Sequence, residues 1–182
     1  MRTKELHGVT IECVRGDIAK QPGMDAVVNA ANAHLHTGGG VAGAIHRAAG
    51  PGLEAECRNF APIRPGEAVI TGAHNLPNRY VIHCLGPVYG VADAPAELLA
   101  SCYRRALELA EGNGISSIAF PAISTGAFGY PMEPAARIAL STIMDMIPHL
   151  SNVRQIRIVL FGEADRMIYE GLLNKMLRQE EE

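Results

Sequence analysis

The sequence predicts an α/β sandwich on a mixed, mostly parallel sheet of about six strands, and three observations carry that prediction. Short apolar or alternating runs recur along the chain, separated by segments with helical spacing. Two of those runs lead into uncharged, glycine-bearing stretches, the pattern of a strand handing over to a loop and a helix. One connection between strand candidates, through Leu76-Pro77-Asn78, is too short to hold a crossover helix, so at least one pair is expected to be antiparallel. At 182 residues the chain is read as a single domain, residues 1–182, and its 48% hydrophobic content suffices for a core without staples.

Residues 9–15 alternate apolar and polar and read as a strand with one buried face. Gly16 and Asp17 end it. Asp17 has two readings: a cap for the short turn over residues 18–20, which residue type and spacing favour, or an acceptor for an exocyclic amine. Residues 25–29 form a short apolar strand that delivers the motif Val28-Asn29-Ala30-Ala31-Asn32. Residues 41–49 read as a helix, broken by Pro51-Gly52 before a second helical piece at 53–60. After a loop marked by Pro62, Pro65 and Gly66, strands are expected at 67–71 and 79–84. Leu98, Leu99, Cys102, Tyr103, Ala106, Leu109 and Ala110 repeat at helical spacing over 95–111, and Gly112-Asn113-Gly114 stops the run. A strand at 116–122 and a helix at 133–147 come next, the helix with Pro134 in its first turn and Pro148 past its end. A strand at 155–161 and a closing helix at 164–178 precede a fraying acidic tail. The junctions at 29–43, 122–128 and 161–164 are expected to gather at strand carboxyl ends, where open α/β sheets bind ligands.

The stretch 27–50 is the chemical centre. Gly38, Gly39 and Gly40 can present backbone N–H groups with no side chain in the way, and the following helix start adds unpaired donors and the positive end of its dipole. Between Gln21 and His46 there is no Lys or Arg, and Asp25 is the only formally charged residue, so backbone donors must do any anion binding. A second stretch, 120–131, is also uncharged and glycine-bearing. Two such loops could enclose one diphosphate; each could also do no more than shape a tight turn.

Composition narrows the field. The net charge is −3 and the basic residues form no run that would track a nucleic-acid backbone, so nucleic acid is not the expected partner. Cys13, Cys57, Cys84 and Cys102 are scattered without a C-x-x-C pair, which fits buried free thiols in a reducing compartment. His34 and His36 come nearest to a metal pair but lack third and fourth ligands nearby, so neither metal nor cofactor is expected. No apolar signal core opens the chain and no run reaches transmembrane length; a cytoplasmic monomer without a membrane partner is the expectation. Glycine loops also serve NTPases, but no Gly-Lys-Ser/Thr comes after the glycines, so the phosphate-contacting lysine and the magnesium-binding hydroxyl are missing.

Several motifs stand in order: Gly16-Asp17-Ile18, Val28-Asn29-Ala30-Ala31-Asn32, Gly38-Gly39-Gly40-Val41, Ala44-Ile45-His46-Arg47-Ala48-Ala49-Gly50, Val81-Ile82-His83 with Gly86-Pro87, and Ala119-Phe120-Pro121-Ala122-Ile123-Ser124-Thr125-Gly126. In these the chain resembles the macrodomain family over residues 10–178, nearest its MacroD-type and neighbouring viral and archaeal groups. The resemblance implies a three-layer α/β/α fold that binds ADP-ribose. It further implies hydrolysis of ADP-ribose esters, on mono-ADP-ribosylated proteins or on O-acetyl-ADP-ribose, with a non-catalytic ADP-ribose reader as the alternative. By position, Asp17 resembles the acceptor for the adenine amino group, with the backbone of Ile18 beside it, which reverses the preference for a plain cap. Phe161 resembles the aromatic residue that lies against the adenine face. Ala31, Gly38, Gly39, Gly40 and Val41 on one side, and Ser124, Thr125, Gly126, Ala127 and Phe128 on the other, resemble the walls around the diphosphate and distal ribose. Asn32 resembles the catalytic side chain that fixes the distal ribose and orients the attacking water; read without the family it is a turn-stabilising asparagine.

The chain departs from the MacroD-type pattern at Ala42, where those hydrolases carry an Asp assigned a part in activating water, so the obvious general base is absent. Archaeal and viral members with Gly-Gly-Gly-Val-Ala share that departure. Thr37 stands where viral relatives tend to have His directly before the glycines, with His36 one residue earlier.

Overall fold

The strands are apolar on both faces because helices cover both. The computed structural model describes residues 3–182; Met1 and Arg2, the start of the amino-terminal stretch without a signal core, lie outside the described residues. Along β2 (Val9–Arg15), Val9, Ile11 and Cys13 join one core and Val14 the other. β3 (Ala26–Ala30) divides Ala26 and Val28 from Val27 in the same way. β5 (Tyr80–Cys84), β6 (Ser117–Phe120) and β7 (Gln155–Leu160) repeat the division, with Ile82, Ile118 and Ile158 in the first core and Val81, Ala119 and Val159 in the second. The first core is closed by α3 (Pro95–Gly112), α4 (Met132–Met146) and α5 (Glu163–Glu180), through residues such as Leu99, Tyr103, Leu140 and Leu172. The second is closed by α1 (Gly40–Ala49) and α2 (Pro51–Cys57), through Ile45, Ala49 and Leu53. Three layers result, α/β/α.

The sheet runs β1-β2-β7-β6-β3-β5-β4, with β1 at Lys4–Leu6 and β4 at Ala68–Gly72. The central pairings β2/β7, β7/β6, β6/β3 and β3/β5 are parallel, whereas β1/β2 and the expected short-connection pair β4/β5 are antiparallel. β7, β6 and β3 are therefore neighbours, and their carboxyl ends lie side by side.

The strands number seven, not six. The additional one, β1, pairs Lys4 with Ile11 and Leu6 with Val9. Its hairpin is made by His7 and Gly8, both at positive φ (49° and 79°), a two-residue turn whose twist suits paired strands. Three residues, of which Leu6 alone packs on the core, are too few for a periodicity to be read. Residues 58–60, expected to continue α2, instead form a turn in which Asn59 N–H reaches Glu56 O and Phe60 N–H reaches Cys57 O. Pro51 also opens α2 rather than standing as a break before it, as proline does well in a first helical turn.

Polar side chains from five elements meet inside the second core. His83 Nδ1 lies 3.0 Å from Asn29 Nδ2, and since the amide nitrogen can only donate, Nδ1 accepts. Nε2 therefore carries the proton and donates to Thr71 Oγ1 at 2.9 Å, while Thr71 donates to Gly72 O at 3.0 Å. Cys57 Sγ stands 3.6 Å from the same Nε2. His46, Cys57 and His83 bring one metal-ligating atom each to within 4.8 Å of one another, a grouping of distant residues that spacing along the chain did not suggest. Both His83 nitrogens are already committed, and burial pushes the Cys57 thiol up to about 11, so His83 with Asn29, Thr71 and Cys57 serves as a hydrogen-bonded node of the core. The two nitrogens of His46 find no partner among the described residues, and burial lowers its pKa as well.

This node ties stability to pH. Burial, with a smaller contribution from the nearby His46, pushes His83 down to about 3 from an ordinary value of 6.5. Between those values the unfolded chain holds a proton that the folded chain does not, so stability is complete above about pH 6.5 and falls as pH drops through the window. One such proton is worth about 1.4 kcal/mol per pH unit. His83→Gln is expected to be less stable at neutral pH yet to lose less between about pH 6 and about pH 4.5 than the native chain, measured by urea unfolding at each pH.

Candidate functional site

Each wall of the site begins as a strand end. Past β3, Leu35 (φ 56°) turns back and is fully buried in the second core, which fixes the turn over residues 32–36. Asn32 closes that turn: its Oδ1 accepts from His36 N–H at 2.9 Å and its Nδ2 donates to His36 O at 2.8 Å. A primary amide has a further N–H and a further lone pair, so Asn32 keeps one donor and one acceptor for a ligand. Both readings of this residue are thus compatible in one geometry. Glu54 on α2 tethers the next step, accepting from Thr37 N–H at 3.2 Å and facing His36 Nδ1 at 3.0 Å. These bonds hold its carboxyl below the ordinary carboxylate range. α1 then starts at Gly40 with no side-chain cap on its amino end, so its first N–H groups have no side-chain acceptor.

The opposite wall continues from β6. Thr125 Oγ1 donates to Ala122 O at 2.7 Å, Tyr130 N–H to Ser124 O at 2.9 Å and Gly129 N–H to Gly126 O at 3.0 Å, so the loop is braced from within. Ser124 sits at φ 68°, buried, and its Oγ has no partner among the described residues. Gly86, just past β5, lies against it. A Cβ on Gly86 would overlap Ser124 Oγ and come within 2.7 Å of Ile123 Cγ2, so only glycine lets the two segments approach this closely. Tyr89 N–H reaches Phe128 O at 2.9 Å and its ring packs on Tyr130 at 4.7 Å, which ties the segment after Gly86 to the same loop.

Two adjoining cavities open between these walls. The inner one, about 290 Å³, holds Ala31, Asn32, Gly38 and Gly39 on one side and Ser124, Ala127 and Phe128 on the other. The outer one, about 540 Å³, holds Asp17, Ile18, Thr125 and Phe161. Gly40, Val41 and Gly126 line both, so the two form one continuous cleft over the carboxyl ends of β3, β6 and β7. Every residue that the sequence offered as an ADP-ribose contact, from Asp17 to Phe161, thus lines this cleft. Asp17 acts as the turn cap that its spacing suggested, its Oδ1 accepting from Ala19 N–H at 2.9 Å, and it also faces the outer cavity. Phe161 is 90% exposed although it comes directly after a buried strand, so its ring is free on both faces.

Among the described residues the inner cavity has no ionisable side chain; Asn32 and Ser124 are its only polar ones, and Ala42 sits buried where a carboxylate could have stood. The outer cavity has Arg47 and Asp165 besides Asp17. Arg47, Asp165, Met132, Gly86 and Ile123 were not read as site residues. Arg47 and Met132 lie on helices where spacing gives no sign of direction towards a ligand, and only the glycine next to a Pro hinted at Gly86. His34 and His36 stack at 5.8 Å outside both cavities.

Comparison with known proteins agrees with this geometry. The family profile Macro domain matches residues 28–139. An O-acetyl-ADP-ribose deacetylase of Cronobacter turicensis is 45% identical over 170 residues, covering 91% of this chain and 96% of that protein. The human ADP-ribose glycohydrolase MACROD2 is 47% identical over 168 residues, covering 91% of this chain but 39% of that longer protein. Among solved structures, an Oceanobacillus iheyensis macrodomain variant with ADPR superposes with a TM-score of 0.92 at 42% identity, covering 97% of this chain and 98% of that one.

The contact at Gly86 generates a prediction. Gly86→Ala forces Ser124 and Ile123 away, and overpacking of this kind costs about 1–3 kcal/mol. A lower melting temperature and weaker ADP-ribose binding by calorimetry are expected together; native affinity in a folded variant would mean that the second loop does not need this approach.

Proposed function

The chain belongs to the macro domain family, and on that premise we propose that its cleft binds ADP-ribose and hydrolyses ADP-ribose esters, either mono-ADP-ribose on acidic side chains or O-acetyl-ADP-ribose. The observation that carries this is the division of labour along the cleft. Its outer part pairs an acid, Asp17, with a free aromatic face, Phe161, as an aminated base requires. Its middle is walled by the uncapped start of α1 and the braced second loop, which suit a diphosphate. Its inner part ends at Asn32, whose remaining donor and acceptor suit ribose hydroxyls.

With no ionisable group among the described residues of the inner cavity, hydrolysis rests on orientation and charge stabilisation. Asn32 holds the distal ribose and a water beside it, and the water adds to the ester carbonyl. Its proton passes to a phosphate oxygen of the substrate, the acyl C–O bond to the ribose breaks, the phosphate hands the proton on to the departing ribose oxygen, and backbone N–H groups balance the charge that develops. Such a site turns over slowly, because no protein base draws the proton.

The remaining alternative, a reader that holds ADP-ribosylated proteins without cleaving them, is favoured by the same lack of a base. Incubation with a glutamate-linked mono-ADP-ribosylated protein separates the two: time-dependent release of ADP-ribose is expected, and no release at high enzyme concentration would make the protein a reader. Single-turnover release should be abolished or much reduced in Asn32→Ala, with ADP-ribose binding lowered less than rate. Ala42→Asp should raise the rate by placing a carboxylate within the inner cavity. If Asn32→Ala cleaves as fast as the native chain, the group that positions water lies elsewhere. At the other end, Phe161→Ala is expected to weaken ADP-ribose binding by about 1–3 kcal/mol, the usual worth of base–aromatic stacking. Calorimetry checks this, and unchanged affinity would remove Phe161 from the adenine site.

A further inference from the structure

On the face of the sheet towards α1 and α2, apart from the node at His83, a second line of polar side chains runs from β2 and β7 to the outer cavity. Glu12 on β2 and Arg157 on β7 face each other in register across the parallel pair. Arg157 Nε donates to Glu12 Oε1 at 2.6 Å, and Glu12 is 6% exposed. Arg157 Nη1 donates to Gln21 Oε1 at 3.0 Å, and Gln21 Nε2 donates to the backbone carbonyl of Asp17 at 2.8 Å. The direction of the Gln21 amide is set by its partners: an oxygen must face the guanidinium, so the N–H faces Asp17. Asn78 Nδ2 holds Gln21 from behind, donating to its backbone carbonyl at 2.8 Å.

Stability does not account for this line, since a buried ion pair commonly gives nothing over well-packed apolar residues of the same volume. What the line does is fix the Asp17 turn from below. Lys20 N–H and Gln21 Nε2 share the Asp17 carbonyl, Ala19 N–H takes Oδ1, and Oδ2 has no partner among the described residues. From this geometry we infer that Gln21, aligned by the Glu12–Arg157 pair, is a positioning residue for base selection: it orients the Asp17 carboxylate so that Oδ2 receives an exocyclic amine and the site prefers adenine to hypoxanthine. The inference rests on the proposed role of Asp17 as the adenine acceptor. Hypoxanthine presents a carbonyl oxygen where adenine presents its amine, so a rigid carboxylate rejects it and a loosely held one turns aside.

The test is calorimetric binding of ADP-ribose and of its hypoxanthine counterpart to the native chain, Gln21→Met, Gln21→Glu and Asp17→Ala. Gln21→Glu still accepts from Arg157 but cannot donate to the Asp17 carbonyl, which separates the two ends of the line. The native chain should prefer ADP-ribose by about 10-fold or more, the worth of one hydrogen bond to a charged group. Both Gln21 variants should lose most of that preference, chiefly through weaker ADP-ribose binding. A residue that only supports the fold would instead weaken both ligands by one factor, and that result, or a preference unchanged in either Gln21 variant, overturns the inference provided Asp17→Ala loses the preference. If Asp17→Ala keeps it, the adenine assignment itself fails and the inference with it.

Discussion

Parallel pairing of β7, β6 and β3 is the constraint on which the site depends. Strands in that relation all end at the same edge of the sheet, so the loops after them have to share the space above that edge. The loop after β3 leads into α1, the loop after β6 leads towards α4, and the end of β7 leaves Phe161 standing free. Nothing in the individual loops would make them face one another. The sheet order does, and the close contact of Gly86 with Ser124 then fixes how near the second loop sits to the end of β5.

The cleft is graded in polarity, and that gradient is its chemical logic. Acidic and basic side chains stand at its outer end, backbone donors in the middle, and an uncharged pocket with one amide and one hydroxyl at its inner end. A diphosphate brings its own negative charge, so neutral N–H groups at a helix start suit it without a cationic side chain. The same neutrality leaves chemistry at the inner end to positioning. Asn32 stands there, an amide that can hold its own turn and still offer a donor and an acceptor, which a hydroxyl of serine could not do twice over.

Polar residues that break the apolar pattern of the sheet all have specific work. His83 links β3, β4 and β5 through its bonds to Asn29 and Thr71, with a pH window in which unfolding takes up a proton. Glu12 and Arg157 neutralise one another and hand their orientation to Gln21. Away from these groups the two faces of the sheet obey hydrophobic packing alone, with Phe120, Ile118 and Ile82 fully buried.

Residue type and spacing were enough for most local statements. The strands at Val9–Arg15 and Gln155–Leu160 and the helix at Pro95–Gly112 were legible because burial imposes its period on side-chain choice, and the glycine stretches were legible because few other residues suit them. Asp17, Asn32 and Phe161 were found through motifs, which carry position along the chain but not direction in space. β1 escaped because three residues are too few to show a period, and Gly86, Arg47 and the meeting of His46, Cys57 and His83 escaped because each is defined by residues distant in sequence. The sequence by itself determined most of the strands and helices and where the glycine loops fall, since those are set by local sterics and solvent. Which loops share a cleft, how Asn32 can stabilise its turn and still face a ligand, and what holds Asp17 in place were decided only by the tertiary structure, because contact across the sheet depends on strand order and register and not on neighbours in the chain.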